Sequence, residues 1–557
     1  MMSTSDLIYR VARRPYDRAM TGSAHLVRVA MPGGAALATA VALPHAGFHG
    51  PALLVRTPYE GDLHGSTRGL ELEQVLAAGF ALVAQDVRGR AASTGRFGFI
   101  AQERDDGRRT LAWIASQPWS DGRVATAGAS YLGRAQLVLG DARPVLAAMI
   151  PAGAGLGSAD TWRPGGTVDV AVAGSWIRTL GRERLDMLPP ADAERMRALL
   201  DGDDPVAPVR AALTAGHPLR GLIAPLLPAL DGTDERAPAP SVPSLHICGW
   251  FDGAGGGTID AWSEACAGGG GHHLIVGPWA HDHLGDAQGD CTFPAGAADA
   301  WGLAARQLAF LACYIHGEGE RPPVAEVYVT GANAWRTCAS WPPPTVEREL
   351  LLTGEPSLAL VDWATGPRRG AFDAGGGAAT ADARAATALV LASHADDPAP
   401  ALGGPSTGIP VPGRLQMREG PVDLAPLAAR DDVAVLRSPA FEAPAELAGA
   451  PRLTAWVASD RSPAGLVARL AEVTPDGRMT TLAAGVATAP APAGEPVRLD
   501  VALSPLHHRV AAGSRLALLL AASSYPHYLL GLDRDRTQRV LTGDAGRAAR
   551  LLLPLVR

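Results

Sequence analysis

The sequence predicts a mixed α/β chain followed by a β-rich part, and three observations carry that expectation. In the first third, short apolar runs alternate with helical spacings, the pattern of a mostly parallel sheet covered by helices. That pattern breaks over about 155–240, where longer helical stretches stand, and then resumes. Beyond about residue 350 the texture turns to Gly/Ala/Pro-rich loops with short alternating runs, as in an all-β sandwich.

The elements follow in order. Residues 52–56 (ALLVR) and 80–85 (FALVAQ) are apolar runs that end in polar turns, so each reads as a buried strand. Helical spacing over 105–117 stops at the turn Pro118-Trp-Ser-Asp-Gly122, and 123–127 is the next strand. A helix is predicted from Tyr131 through Gly140. After the helical insertion, with its stretches 191–200 and 209–215, strands are predicted at 244–248 and 273–276. In the last part the strand candidates are 452–458, 466–473, 497–503 and 515–520, while 370–386 is a loop of low complexity.

Length and composition narrow the function classes. A chain of 557 residues implies two to three domains, and 47% apolar against 19% charged residues gives ample material for cores. A net charge of −7 without a basic run argues against nucleic acid and anionic membrane surfaces as partners. All 49 basic residues are arginine, so lysine Schiff bases, a Ser–Lys dyad and a Walker-type loop are excluded. The five cysteines show no CxxC pair and read as reduced thiols. No membrane-length apolar stretch and no signal-type apolar core are present, so the expected location is cytoplasmic. A homodimer is compatible with the sequence.

Three short segments could carry chemistry. Ser130 stands in Gly128-Ala-Ser-Tyr-Leu-Gly133, between a strand and a helix, where a hydroxyl can be held out on a sharp turn. The competing reading is a serine that caps the helix. Asp252 ends a strand in Gly249-Trp-Phe-Asp-Gly253; it either orients a base or simply forms an Asp-Gly turn. His281 closes Gly277-Pro-Trp-Ala-His281, and with His283 it also resembles an H-x-H metal pair. The chain order Ser…Asp…His is that of α/β-hydrolases, in which serine attacks, histidine takes its proton and aspartate holds the histidine. Such chemistry needs neither a metal nor a cofactor.

Six segments make the resemblance specific: Arg56-Thr-Pro-Tyr59, Gln85-Asp-Val-Arg-Gly-Arg90, Gln117-Pro-Trp-Ser-Asp-Gly122, and the three just named. With them the chain resembles the family of cocaine esterase, the α-amino-acid ester hydrolases and the bacterial X-prolyl dipeptidyl peptidases. The likeness continues through Thr474-Pro-Asp-Gly-Arg478 and Ser523-Ser-Tyr-Pro526, and so covers nearly the whole chain.

The resemblance implies a serine hydrolase with Ser130 as nucleophile, His281 as base and acid, and Asp252 as its orienting partner. It also implies that Tyr59 donates its hydroxyl to the oxyanion beside the backbone N–H of Tyr131. Its architecture is an α/β-hydrolase domain split over 1–154 and 241–349, a helical cap at 155–240 and a jelly-roll domain at 350–557. Trp162, Trp176 and Phe251 are pocket candidates. Asp86, Arg88 and Arg90 read as loop-fixing residues.

The substrate expected is a small ester or amide, or a short peptide. A free α-amino group on it would need a carboxylate, with Asp160, Asp169 and Asp186 as candidates. The rival from outside the class is a binding protein on the same scaffold.

Overall fold

The computed structural model describes residues 25–59, 67–297, 302–352, 358–360, 388–406, 419–532, 535–542 and 547–557. The low-complexity loop at 370–386 lies outside these residues. Among them, no helix is long and apolar enough to cross a membrane.

The first two thirds build one sheet, ten-stranded among the described residues. Its strands are β1 (His25–Ala30), β2 (Ala36–Ala42), β3 (Gly50–Thr57), β4 (Ala81–Asp86), β5 (Ser120–Ala129), β6 (Leu146–Ala152), β7 (Ser244–Phe251), β8 (His272–Ala280), β9 (Ala325–Val329) and β10 (Ala334–Cys338). The spatial order is β1-β2-β4-β3-β5-β6-β7-β8-β9-β10. Pairs from β4 through β9 are parallel, whereas β1 and β2 at one edge and β10 at the other run antiparallel to their neighbours. Strands covered on both faces are mostly apolar, and β3, β4, β7 and β8 are buried at every position.

The predicted strands at 52–56, 80–85, 123–127, 244–248 and 273–276 fall inside β3, β4, β5, β7 and β8. Helix α1 (Leu72–Ala77) precedes β4, α2 (Glu103–Ala115) precedes β5 and α3 (Tyr131–Leu137) follows it. The helix expected to reach Gly140 stops at Leu137, where Gly140 donates its N–H to the Leu137 carbonyl and the chain turns towards β6.

Between β6 and β7 the chain is helical: α4 (Val170–Glu183), α5 (Pro190–Asp201) and α6 (Ala207–Leu213) are its main elements. Their apolar residues, among them Ile177, Leu200 and Val209, join the core beneath the sheet's edge loops. Two further helices, α7 (Gly255–Ala267) and α8 (Leu303–Leu311), flank β8.

Among the described residues, the C-terminal part forms two antiparallel sheets. One contains Thr345–Leu352, Arg452–Ser459, Arg536–Leu541 and Arg550–Val556; the other runs Val433–Arg437, Arg515–Ala521, Ala464–Val473, Met479–Ala489. Both send side chains into one cluster, with Leu350, Leu453 and Leu551 from the first and Leu466, Leu482 and Leu518 from the second. This is how two half-apolar sheets become buried together. The strand at Thr345 already pairs with Val556, so this sheet begins a few residues before the change of texture near 350.

Contacts between the parts are specific. The Thr488 hydroxyl donates to the Gly165 carbonyl at 3.0 Å, and His527 pairs with Asp169 at 3.0 Å. Ser406 exchanges main-chain hydrogen bonds with Phe251 and Gly253, on either side of Asp252.

Candidate active site

The turn at Ser130 is sharp for a physical reason. Strand β5 ends at Ala129 and α3 starts at Tyr131, so one residue must reverse direction. Ser130 does so with φ 59° and ψ −121°, a conformation that side chains other than glycine rarely hold. The flanking glycines make room for it. A Cβ on Gly128 would stand 2.4 Å from the Leu132 Cβ, and one on Gly133 would stand 2.7 Å from both the Ala152 carbonyl and the Ala154 Cβ. The second glycine therefore belongs at 133, where α3 crosses β6. Ser130 makes no side-chain capping bond to α3, so the helix-cap reading is not what its hydroxyl does.

Tyr131 is tied from below. Its hydroxyl donates to Glu103 at 3.0 Å and lies 3.1 Å from the Phe99 carbonyl, while Glu103 pairs with Arg56 at 2.7 Å. Burial first, then the Glu103 charge, pushes the Tyr131 phenol well above its ordinary range. The side chain is an anchor, and what it leaves at the site is its N–H. First-turn N–H groups have no acceptor within their own helix, so this one is available to an oxygen near Ser130.

Asp252 and His281 meet because β7 and β8 are paired in register. Phe251 lies opposite Ala280, so the next residue on each strand emerges at the same edge. The His281 Nδ1 and the Asp252 Oδ1 are 2.7 Å apart, and both residues are buried. The same Oδ1 accepts the Ala254 N–H at 2.8 Å, so Asp252 serves as turn residue and histidine partner together.

Burial is the largest single influence on either group, and it opposes charge. For Asp252 it is outweighed by His281 and then Arg68, which bring the carboxyl below its usual range. For His281 it is outweighed by Asp252 and then Asp282, which raise the imidazole above its usual value. His283 is exposed, and among the described residues no group of three His, Cys, Asp or Glu side chains could hold a metal ion.

Tyr59 reaches Ser130 from the loop after β3. Its N–H donates to the Thr57 hydroxyl at 3.0 Å, and Arg90 donates to the Pro58 carbonyl at 3.0 Å. Arg90 thus fixes this loop; Arg88 is paired with Asp106, and Asp86 accepts the Ala92 N–H at 3.2 Å. The Tyr59 phenol and Ser130 line the same pocket, and Ser130 is close enough to act on the phenol. Desolvation on its pocket side, followed by the Asp282 charge, raises its pKa, although the residue as a whole is 38% exposed.

Tyr59, Ser130, Tyr131 and His281 line one pocket of about 80 Å³, together with Phe99, Trp162, Val172 and Trp176. Two of the expected aromatics are therefore present and one is not. Phe251 lies in the core with Trp250, Trp262 and Tyr328, past a register shift between Gly249 and Phe251 that breaks the simple alternation of the strand.

None of the three candidate amine-binding carboxylates lines the pocket. Asp169 caps α4 and pairs with His527, Asp186 is exposed, and Asp160 packs against Gly155 and Gly257. Three residues with no motif to mark them also stand here. Phe99 forms a wall, Arg68 contacts both Asp252 and His281, and Glu419, from the C-terminal part, lies outside the pocket lining but near enough to Asp282 and His281 to feel their charges.

Residues 33–283 match the family model described as X-Pro dipeptidyl-peptidase (S15 family), and residues 317–552 match the X-Pro dipeptidyl-peptidase C-terminal non-catalytic domain. The chain is 28% identical over 548 residues to the cocaine esterase of Rhodococcus sp. (strain MB1 Bresler), covering 90% of this chain and 91% of that one. Its fold is similar to that of an aminopeptidase from a marine sediment Thaumarchaeota archaeon, with a TM-score of 0.74, 20% identity and 96% of each chain covered. An α-amino acid ester hydrolase structure gives a TM-score of 0.72 at 20% identity, again over 96% of each chain.

Proposed function

The chain is a serine hydrolase of the X-Pro dipeptidyl-peptidase (S15) family, and from that footing we propose that it cleaves an ester or amide acyl bond through an acyl-enzyme on Ser130. The Ser130 oxygen attacks the carbonyl carbon while His281 takes its proton. The oxyanion is held by the Tyr59 hydroxyl and the Tyr131 N–H, donors aimed where negative charge develops. His281 then protonates the leaving alcohol or amine, and water repeats the sequence to release the acid. Asp252 holds His281 in the tautomer with its proton on Nδ1. The observation that carries this reading is the convergence of the Asp252–His281 pair and the Tyr59 phenol on the strained turn at Ser130.

Architecture supports the same reading. We assign 1–154 and 241–349 to an α/β-hydrolase domain, 155–240 to a helical cap and 350–557 to a jelly-roll domain, the last boundary falling inside the strand Thr345–Leu352. Trp162, Val172 and Trp176 bring the cap to the pocket wall.

The substrate class follows from the wall chemistry. About 80 Å³ bounded by Phe99, Trp162 and Trp176 suits a short apolar acyl group, since a cavity of roughly 150 Å³ is what takes up benzene. We therefore favour a small-acyl esterase or acylase. Glu419, outside the pocket lining but within the field of Asp282 and His281, supports a second reading, the cleavage of substrates with a free α-amino group. Its carboxyl is pushed up to about 8 by burial and then by Asp282, so an incoming ammonium group would ionise it. Hydrolysis of an amino-acid ester and of its N-acetyl form separates the two. Equal or faster turnover of the acetylated ester supports the small-acyl reading, and strong preference for the free amine supports the second.

A further inference from the structure

Arg68 stands where no motif places a residue, and its geometry is unusual in three respects. It holds φ 54°, a left-handed backbone that costs a non-glycine residue energy and persists only where neighbours impose it. Its carbonyl accepts the Gln307 side-chain N–H of α8 at 3.0 Å, a bond with both residues buried. Its guanidinium donates to the main-chain carbonyl of His281 and lies 3.7 Å from the Asp252 Oδ2. That Oδ2 is buried and accepts no hydrogen bond among the described residues, so it depends on charge for compensation. Gly153 leaves the space for this approach: a Cβ there would stand 2.9 Å from the Asp252 Oδ2 and 3.1 Å from the Arg68 Nη2.

We propose that Arg68 is a positioning residue of the triad, which clamps the His281 loop to the Asp252 carboxylate and so holds the imidazole at the site. The proposal rests on the triad reading above. The charged groups that face His281 are Asp252 at the end of β7, Asp282 on its own loop, Glu419 from the C-terminal part, and Arg68. The two aspartates favour a protonated imidazole, and Arg68 opposes it. Without Arg68 the pair holds its proton to higher pH, and a base that is already protonated cannot take one from Ser130.

The test is the pH profile of kcat/KM for Arg68→Gln and Arg68→Lys, each normalised to the fraction of enzyme that a fluorophosphonate labels. Arg68→Gln should move the acid limb up by about one pH unit, the size of shift a neighbouring charge commonly imposes. It should also lower kcat by up to about 10²-fold through displacement of His281. Arg68→Lys should keep the limb near that of the wild type. An unmoved limb in Arg68→Gln, or an equal shift in both variants, overturns the proposal. Should Arg68→Gln not fold, a limb displaced by a full unit in Arg68→Lys overturns it alone. Failure of the wild-type enzyme to label would instead overturn the triad reading itself.

Discussion

The Nδ1 of His281 lies 2.7 Å from the Oδ1 of Asp252, across two strands whose register delivers both residues to one edge of the sheet. If this contact sets the tautomer, Asp252→Asn should leave the fold intact and lower kcat by ~10⁴. Steady-state kinetics beside a circular dichroism spectrum checks both halves. The acid limb of wild-type kcat/KM should lie above pH 6.5, because Asp252 raises the imidazole and His281 acts as base only when neutral.

Tyr59→Phe should lower kcat by roughly 10²–10³ with little change in KM, since the phenol's bond to the oxyanion exists only in the transition state. Kinetics on one activated ester decides this. An unchanged kcat would reduce Tyr59 to a packing residue against Trp176, whose ring centroid is 6.0 Å away.

Gly133→Ala should destabilise the chain by about 1–3 kcal/mol, as overpacking does. The added methyl meets the Ala152 carbonyl and the Ala154 Cβ at 2.7 Å, and both lie on or just beyond β6, where nothing flexible can yield. Thermal unfolding measures the loss. Activity should fall further than unfolding explains, because displacement of α3 moves Ser130 and the Tyr131 N–H together.

Trp176→Ala should shift preference from acetyl and butyryl esters towards longer or aromatic acyl groups, because that ring forms a wall with Phe99 (centroids 5.2 Å apart). The ratio of kcat/KM for benzoyl and acetyl esters is the measurement. A ratio that does not rise places the acyl group elsewhere.

What the sequence made legible, and what it did not, separates along physical lines. Strands buried on both faces announce themselves as apolar runs, so β3, β4, β5, β7 and β8 were readable. The residues just past their ends were readable too, because Ser130, Asp252 and His281 each follow such a run. The wall residues were not. Trp162 and Trp176 could be suspected as aromatics in the insertion, but Phe251 shows the weakness of that signal: which face a strand residue takes depends on a register that the sequence does not state. Arg68 and Glu419 come from loops far from the triad in sequence, and their meaning arises only when tertiary packing brings an arginine to Asp252 and a glutamate to His281.

Mass spectrometry of the enzyme after reaction with a fluorophosphonate tests the central claim most directly. One adduct per chain, mapped to Ser130 and absent from Ser130→Ala, together with loss of ester hydrolysis in that variant, is the predicted result. A folded wild-type chain that forms no adduct, or a Ser130→Ala variant with wild-type turnover, would contradict it.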